Sequence, residues 1–191
     1  MPEIPDSLIF TLIGVIVGSL LTIAIELLKY GINKFKQNKY IDKEVTRLQH
    51  QALASVKIIT ENKQKYLQGS EESEAPIPYN IEYLNALLLN YLISLNDNQR
   101  TVIRALKETS DNYTKYYREL ENVIRKQANK NSSIKYNINI NEYCGNIVRC
   151  SAIIHYLCRT MLENEKASTK IEAIDQEQEK LLDKAALTTG R

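Results

Sequence analysis

The chain has few cysteines, the residues that form disulfide bonds and many structural metal sites. It contains three cysteines, Cys144, Cys150 and Cys158, and no CxxC pair. An odd number without that spacing favours neither a disulfide framework nor a zinc site. The sequence also has no Gly-rich phosphate loop, no convincing strand pattern and no long-period repeat. We therefore expect no metal and no cofactor, and the cysteines fit a reducing compartment.

Positive charge is absent from the first 28 residues. They carry Glu3, Asp6 and Glu26 but no Lys or Arg, so the −3 there leaves +5 on the remainder of a chain with net charge +2. A cleavable signal peptide has a basic start, a shorter apolar stretch and a small-residue cleavage site. We therefore expect the segment to be retained as an anchor.

The same region holds a long apolar run, residues 8–28. LIFTLIGVIVGSLLTIAIELL has 21 residues and one ionisable group, Glu26, near its end. A helix of this length spans about 30 Å, which matches the hydrocarbon core of a bilayer. An isolated segment can satisfy its backbone in lipid only as a helix. The run therefore predicts a single transmembrane helix at 8–28, preceded by a short tail at 1–7.

Small and polar residues repeat along one side of this predicted span. Gly14 and Gly18 form a GxxxG pair, which allows helices to pack closely. An acidic side chain within a span usually faces a bundle interior or a cavity. Two interpretations stay open: an interface between helices, or the water-lined wall of a pore built from several copies. Helical spacing aligns Ser7, Thr11, Gly14, Gly18, Thr22 and Glu26.

A basic juxtamembrane segment, 29–40, follows the predicted span. By the positive-inside rule, these lysines predict a cytoplasmic C-terminal domain and an N-terminus outside. They also favour contact with anionic lipid headgroups. A nucleic-acid patch is the weaker interpretation, because the cluster adjoins the membrane and no base-reading motif accompanies it. The lysines of the segment are Lys29, Lys34, Lys36 and Lys39, and Lys43 follows shortly after it.

The remaining residues, about 160, suffice for one domain with a real core, and their periodicity is helical. We predict an all-α bundle at 41–166 and a C-terminal amphipathic helix and tail at 167–191. Asn96 to Asn98 is expected to form a turn, and Asn141 to cap the helix that follows it. The first bundle helix carries the apolar stripe Ile41, Val45, Leu48, Ala52, Val56, Ile59 and Tyr66.

Arg149 and His155 are the one pair of residues with recognisable chemistry. Six positions on a helix place them about 120° apart, so they cannot form a tight pair within one chain. Across a two-fold interface they could meet a second copy, where His moves a proton and Arg stabilises phosphate charge, as RNA cleavage requires. The alternative is structural, with Arg149 exposed and His155 half-buried. His50, off the apolar stripe, is expected at the solvated surface.

A helical bundle that carries RCSAIIH, Arg149 to His155, resembles the HEPN superfamily, whose motif is Arg, four to six residues, then His. In many active members a polar Asn, Asp or His follows the Arg, whereas Cys150 stands here. A HEPN-like domain behind one N-terminal membrane helix also resembles the Csx-type membrane accessory proteins of type VI-B CRISPR loci.

That resemblance implies a homo-oligomeric ring in the bacterial inner membrane, with an octamer as one candidate size. Such a ring would strengthen antiviral defence by an RNA-guided CRISPR effector through membrane permeabilisation. Direct contact with the effector or its RNA is left open. Two alternatives remain: a membrane-tethered HEPN ribonuclease, and a membrane-anchored scaffold with neither pore nor catalysis. Whether the chain is an enzyme therefore also stays open.

Overall fold

The computed structural model describes residues 6–68, 78–89, 95–128, 134–163, 165 and 171–189. Within the helices it covers all side chains except those of 6–16, 37, 83, 87–89, 127, 128, 134–136 and 187–189. The described residues form five α-helices and no strand, which confirms the predicted all-α class. The helices are α1 (Asp6–Leu67), α2 (Glu82–Leu89), α3 (Asp97–Ala128), α4 (Ile134–Leu162) and α5 (Ile171–Thr189).

The chain divides into two compact units, Met1–Ile41 and Asp42–Arg191. In the first unit, every side chain that the structure describes between 17 and 36 is exposed. No helix of the described part holds a stretch long and apolar enough to cross a bilayer. The span predicted at 8–28 includes 8–16, whose side chains lie outside that description, and it stays a prediction. The exposed large apolar residues here are Val17, Leu20, Leu21, Ile23, Ile25, Leu27, Leu28, Tyr30, Ile32, Phe35 and Tyr40.

The second unit has a conventional apolar core to which α1, α3, α4 and α5 all contribute. The predicted stripe on α1 is confirmed, because its members within this unit are almost fully buried. α3 packs on α4, α4 on α5, and α2 on α3. Burial of each large aliphatic side chain contributes about 1.5–3 kcal/mol. Core residues include Val45, Leu48, Val56 and Ile59 of α1, Ile103, Leu106 and Tyr113 of α3, Ile147 and Ile154 of α4, and Leu181 of α5.

Two buried tyrosines join the core to polar partners. The Tyr113 hydroxyl, on α3, donates to Ser55 Oγ of α1 at 3.2 Å, and the Tyr79 hydroxyl donates to Ser151 Oγ of α4 at 3.0 Å. The two rings meet edge to face with centroids 4.6 Å apart, a favoured aromatic arrangement. Burial raises the pKa of Tyr113 to about 12. These hydroxyls therefore stay protonated and hold the helices in register.

The ends of two helices differ from the sequence prediction. Asn96 is a cap rather than part of a turn: its Oδ1 accepts from the Gln99 amide at 2.7 Å, and α3 begins directly after it. The predicted start at Asn141 is wrong, since α4 begins at Ile134. Asn141 lies inside α4, where its Nδ2 donates to the Asn137 carbonyl at 2.9 Å. Ile140 is completely buried, and this packing stabilises the helix in an Asn-rich stretch whose intrinsic helix propensity is weak.

Candidate functional site between α4 and α5

Arg149 and His155 lie on the same helix but face different surroundings. Arg149 is exposed, and its Nη2 lies 3.7 Å from Asp175 Oδ1. His155 is 7% exposed and contacts a different acid, Glu177. Each motif residue thus has its own carboxylate on α5, and the described chain does not bring the two motif residues together. A joint Arg–His centre would require a second copy.

Glu177 is the central acid of a buried cluster with His155 and Arg159. It is 3% exposed, and its two oxygens serve two partners on α4. Oε1 lies 2.6 Å from Nδ1 of His155, and Oε2 lies 3.3 Å from Nη2 of Arg159. His155 and Arg159 are four positions apart, so one turn of α4 presents both to the same side. The cluster fastens α5 to α4.

Arg159 has two further features besides its ion pair with Glu177. Its guanidinium carbon lies 5.6 Å from the centroid of the Tyr156 ring, within the range of a cation–π contact. Its Nε is buried and makes no hydrogen bond among the described residues, although Glu163 Oε2 lies 3.9 Å away. A buried donor without an acceptor is unfavourable unless something else supplies one.

Burial and charge determine the protonation of His155. Desolvation lowers its pKa, the nearby cations Lys184 and Arg159 lower it further, and Glu177 opposes them. The net direction is downward from the usual value of 6.5. The imidazole is therefore neutral at neutral pH, with Nδ1 donating to the Glu177 carboxylate. Nε2 is then the ring nitrogen with a free lone pair.

A cavity of about 350 Å³ opens beside this cluster. Its wall comes from α1, from α4 and the residue directly after it, and from α5. His50, expected at the solvated surface, is exposed and lies in this wall. Cations outnumber carboxylates in the lining, with three permanent positive charges and two negative ones. A neutral histidine oriented by a carboxylate can accept a proton, and the cations beside it can bind an anion. The lining residues are Gln49, His50, Leu53, His155, Arg159, Glu163, Glu177, Lys180 and Lys184.

The residues predicted for assembly lie in the first unit. Thr11 and Gly14 fall outside the described side chains. A Cβ added at Gly18 would meet nothing within 4 Å. The Thr22 hydroxyl donates to the Gly18 carbonyl at 2.9 Å, and Glu26 is exposed. The lysines predicted at the membrane surface, Lys29, Lys34, Lys36 and Lys39, are also exposed.

The cysteines have no chemical role that the structure supports. Cys144, Cys150 and Cys158 are buried and free. Burial raises the pKa of Cys144 and of Cys150 to about 11, so both remain thiols at neutral pH. Cys150, which follows Arg149 in the motif, is therefore a packing residue of α4. The described residues also contain no group of three or more His, Cys, Asp or Glu that could hold a metal ion.

Motifs in the sequence do not indicate the other five charged residues of the cavity: Arg159, Glu163, Glu177, Lys180 and Lys184. Glu177 is 22 positions from His155, and nothing in the local sequence links them. A usable signal was present on α5, where positions 177, 180 and 184 fall on one helical face. Arg159 follows His155 by four positions and shares its face. No protein-family model, no curated protein and no solved structure matches this chain.

Proposed function

We propose that the chain is a membrane-anchored homo-oligomer whose N-terminal helix forms a pore in the bacterial inner membrane. The exposed apolar surface of α1 between residues 17 and 35 carries this proposal. Following the resemblance to Csx-type accessory proteins, the pore would support antiviral defence by an RNA-guided CRISPR effector. The second unit would then lie in the cytoplasm, as the excess of lysine after residue 28 favours.

Membrane anchoring is supported by how apolar side chains are distributed around α1. Leu21, Leu28 and Phe35 are 62%, 65% and 72% exposed, and other large apolar residues lie between them. An apolar surface of this extent marks a membrane or protein contact. The continuous run from residue 8 to 28, with Glu26 as its only ionisable group, supports lipid as that contact.

Self-association is supported by the open surface at Gly18. Among the described residues, and apart from the backbone of its own helix and its chain neighbours, no atom lies within 4 Å of the position of its Cβ. Close approach of a second helix would use that space, as in other small-residue interfaces in membranes. The Thr22 hydroxyl is already bonded to the Gly18 carbonyl, so it can line such an interface without adding an unpaired donor. The small-residue edge thus suits contact between copies.

The oligomer test uses Gly18→Leu, with Gly31→Leu as its matched control. Both glycines lie on α1, and a Cβ added at either would meet nothing within 4 Å among the described residues, so neither substitution starts from a clash. They are about 140° apart around the helix, so the control leaves the Gly18 edge intact. By light scattering in detergent with correction for bound detergent, we expect a wild-type oligomer, a smaller particle for Gly18→Leu, and no change for Gly31→Leu. A monomeric wild-type chain would end the pore proposal.

The pore test measures release of a trapped dye from liposomes that contain the purified chain. We expect leakage from the wild type and a changed rate for Glu26→Gln, because a pore-facing carboxylate affects the hydration and charge of the lumen. Glu3→Gln outside the predicted span is the control. An intact oligomer that releases no dye would favour the scaffold instead. Depolarisation of cells that express both the chain and an RNA-guided effector tests the defence role.

A membrane-tethered ribonuclease is the second candidate, because His155 is neutral, oriented by Glu177 and close to Arg159. These groups could deprotonate a 2′-hydroxyl and stabilise phosphate charge. The test is RNA cleavage by the full chain, by Arg149→Ala and by His155→Ala. Loss of cleavage in both variants would support the paired motif. Cleavage by none of the three proteins would exclude this candidate.

A further inference from the structure

The cavity beside Glu177 has the composition of an anion site. Arg159 on α4 and Lys180 and Lys184 on α5 line it together. The lining carries three cationic side chains and two carboxylates, and the Glu177 carboxylate already contacts His155 and Arg159. Glu163, the other acid in the wall, has a side chain that is 51% exposed. Positive charge from two helices therefore converges on a concave surface.

The geometry points to a phosphate group as the ligand of this cavity, bound by Arg159, Lys180 and Lys184. A phosphate offers three terminal oxygens, which suits several donors arriving from different directions. Arg159 lines the cavity with a side chain that is 32% exposed, so it is partly accessible from this wall. The volume, about 350 Å³, is at the small end of the range for small-molecule sites.

This site is separate in function from the proposed pore, because all of its residues belong to the second unit. It does not use Arg149, whose exposed side chain pairs with Asp175. The inference therefore depends neither on membrane insertion nor on ribonuclease activity.

Equilibrium dialysis of the full chain in detergent against radiolabelled inorganic phosphate tests the proposal. We expect saturable binding that weakens at least tenfold in the double variant Lys180→Met with Lys184→Met. The matched control is Lys115→Met with Lys126→Met, which removes two exposed lysines of α3 that do not line the cavity. Because all four lysines are exposed, both variants should retain wild-type helical circular dichroism.

Competition with unlabelled AMP and glycerol 3-phosphate distinguishes the source of the phosphate group. Stronger displacement by AMP would assign the site to a nucleotide, and stronger displacement by glycerol 3-phosphate to a lipid-type headgroup. Either result supports the site if the competitor acts on the wild type and the control alike. Absence of saturable phosphate binding would overturn the proposal. So would binding that survives in the Lys180 and Lys184 variant, or that falls equally in the control.

Discussion

The two parts of α1 carry the same types of aliphatic residue in opposite surroundings. Between 17 and 35 its leucines, isoleucines and valines are exposed, whereas from Val45 to Ile59 the apolar residues of the predicted stripe are buried. The second part has charged residues between its apolar ones, so one face is apolar and the other polar. The first part, up to Leu28, is apolar on every side except the edge that carries Gly18, Thr22 and Glu26. A helix with one apolar face can bury that face against a helical bundle. A helix that is apolar on nearly all sides needs a surrounding apolar medium or further helices to bury its surface.

The sharpest test of this contrast is the same substitution in both parts of the helix. Leu48→Ala should lower the free energy of unfolding by about 2–5 kcal/mol, because Leu48 is fully buried and its loss leaves a cavity. Leu21→Ala, at a side chain 62% exposed, should change it by less than about 0.5 kcal/mol. Denaturant unfolding of the full chain in detergent, followed by near-ultraviolet circular dichroism, measures both. Equal losses would contradict the division into an exposed and a packed part.

The contrast between buried and exposed groups extends to the two acids that α5 presents to α4. Glu177→Gln should lower the free energy of unfolding by about 1–3 kcal/mol, because the buried contacts with His155 and Arg159 lose their charged acceptor. Asp175→Asn removes an exposed partner of Arg149 and should cost less than about 0.5 kcal/mol. The same unfolding experiment compares them. A larger loss for Asp175→Asn would reverse the assignment of which pair fastens α5.

Acid pH should destabilise the bundle through His155. Its pKa is lower in the folded chain than in the unfolded chain, so the unfolded state takes up a proton first. The contribution to stability is complete above the unfolded pKa of about 6.5 and decreases as the pH falls from there towards the lowered folded pKa. Unfolding at a series of pH values, for wild type and His155→Gln, measures it. A variant with the wild-type slope over this window would show that other groups cause the dependence.

Arg149→Ala should have the smallest effect on the fold. The Arg149 side chain is 49% exposed and its partner Asp175 is 55% exposed, so we expect a change within about 0.5 kcal/mol. Thermal unfolding by circular dichroism, compared with Arg159→Ala, provides the measurement. A stable Arg149→Ala protein that lost an activity would point to a functional rather than structural role for the motif arginine. A loss as large as that of Arg159→Ala would contradict the exposed position.

The residues predicted much of the fold because helical periodicity is a local property. The buried stripe from Val45 to Ile59 followed from spacing alone. The start of α4 could not be predicted from spacing, because the burial of Ile140 depends on the elements that pack against it and not on the Asn-rich stretch around it. In the candidate site, Arg149 and His155 stood out as a motif. That Arg149 contacts Asp175 while His155 contacts Glu177 depends on where α5 packs.

The sequence by itself determined the all-helical class, the apolar stretch near the N-terminus and the face of α1 that enters the core, since each depends on the order of apolar and polar residues along one segment. Only the tertiary structure decided that Glu177 meets His155 and Arg159, and that Lys180 and Lys184 line the same cavity as His50. Those contacts join residues of three helices. Their positions depend on how the chain returns on itself, which no local spacing specifies.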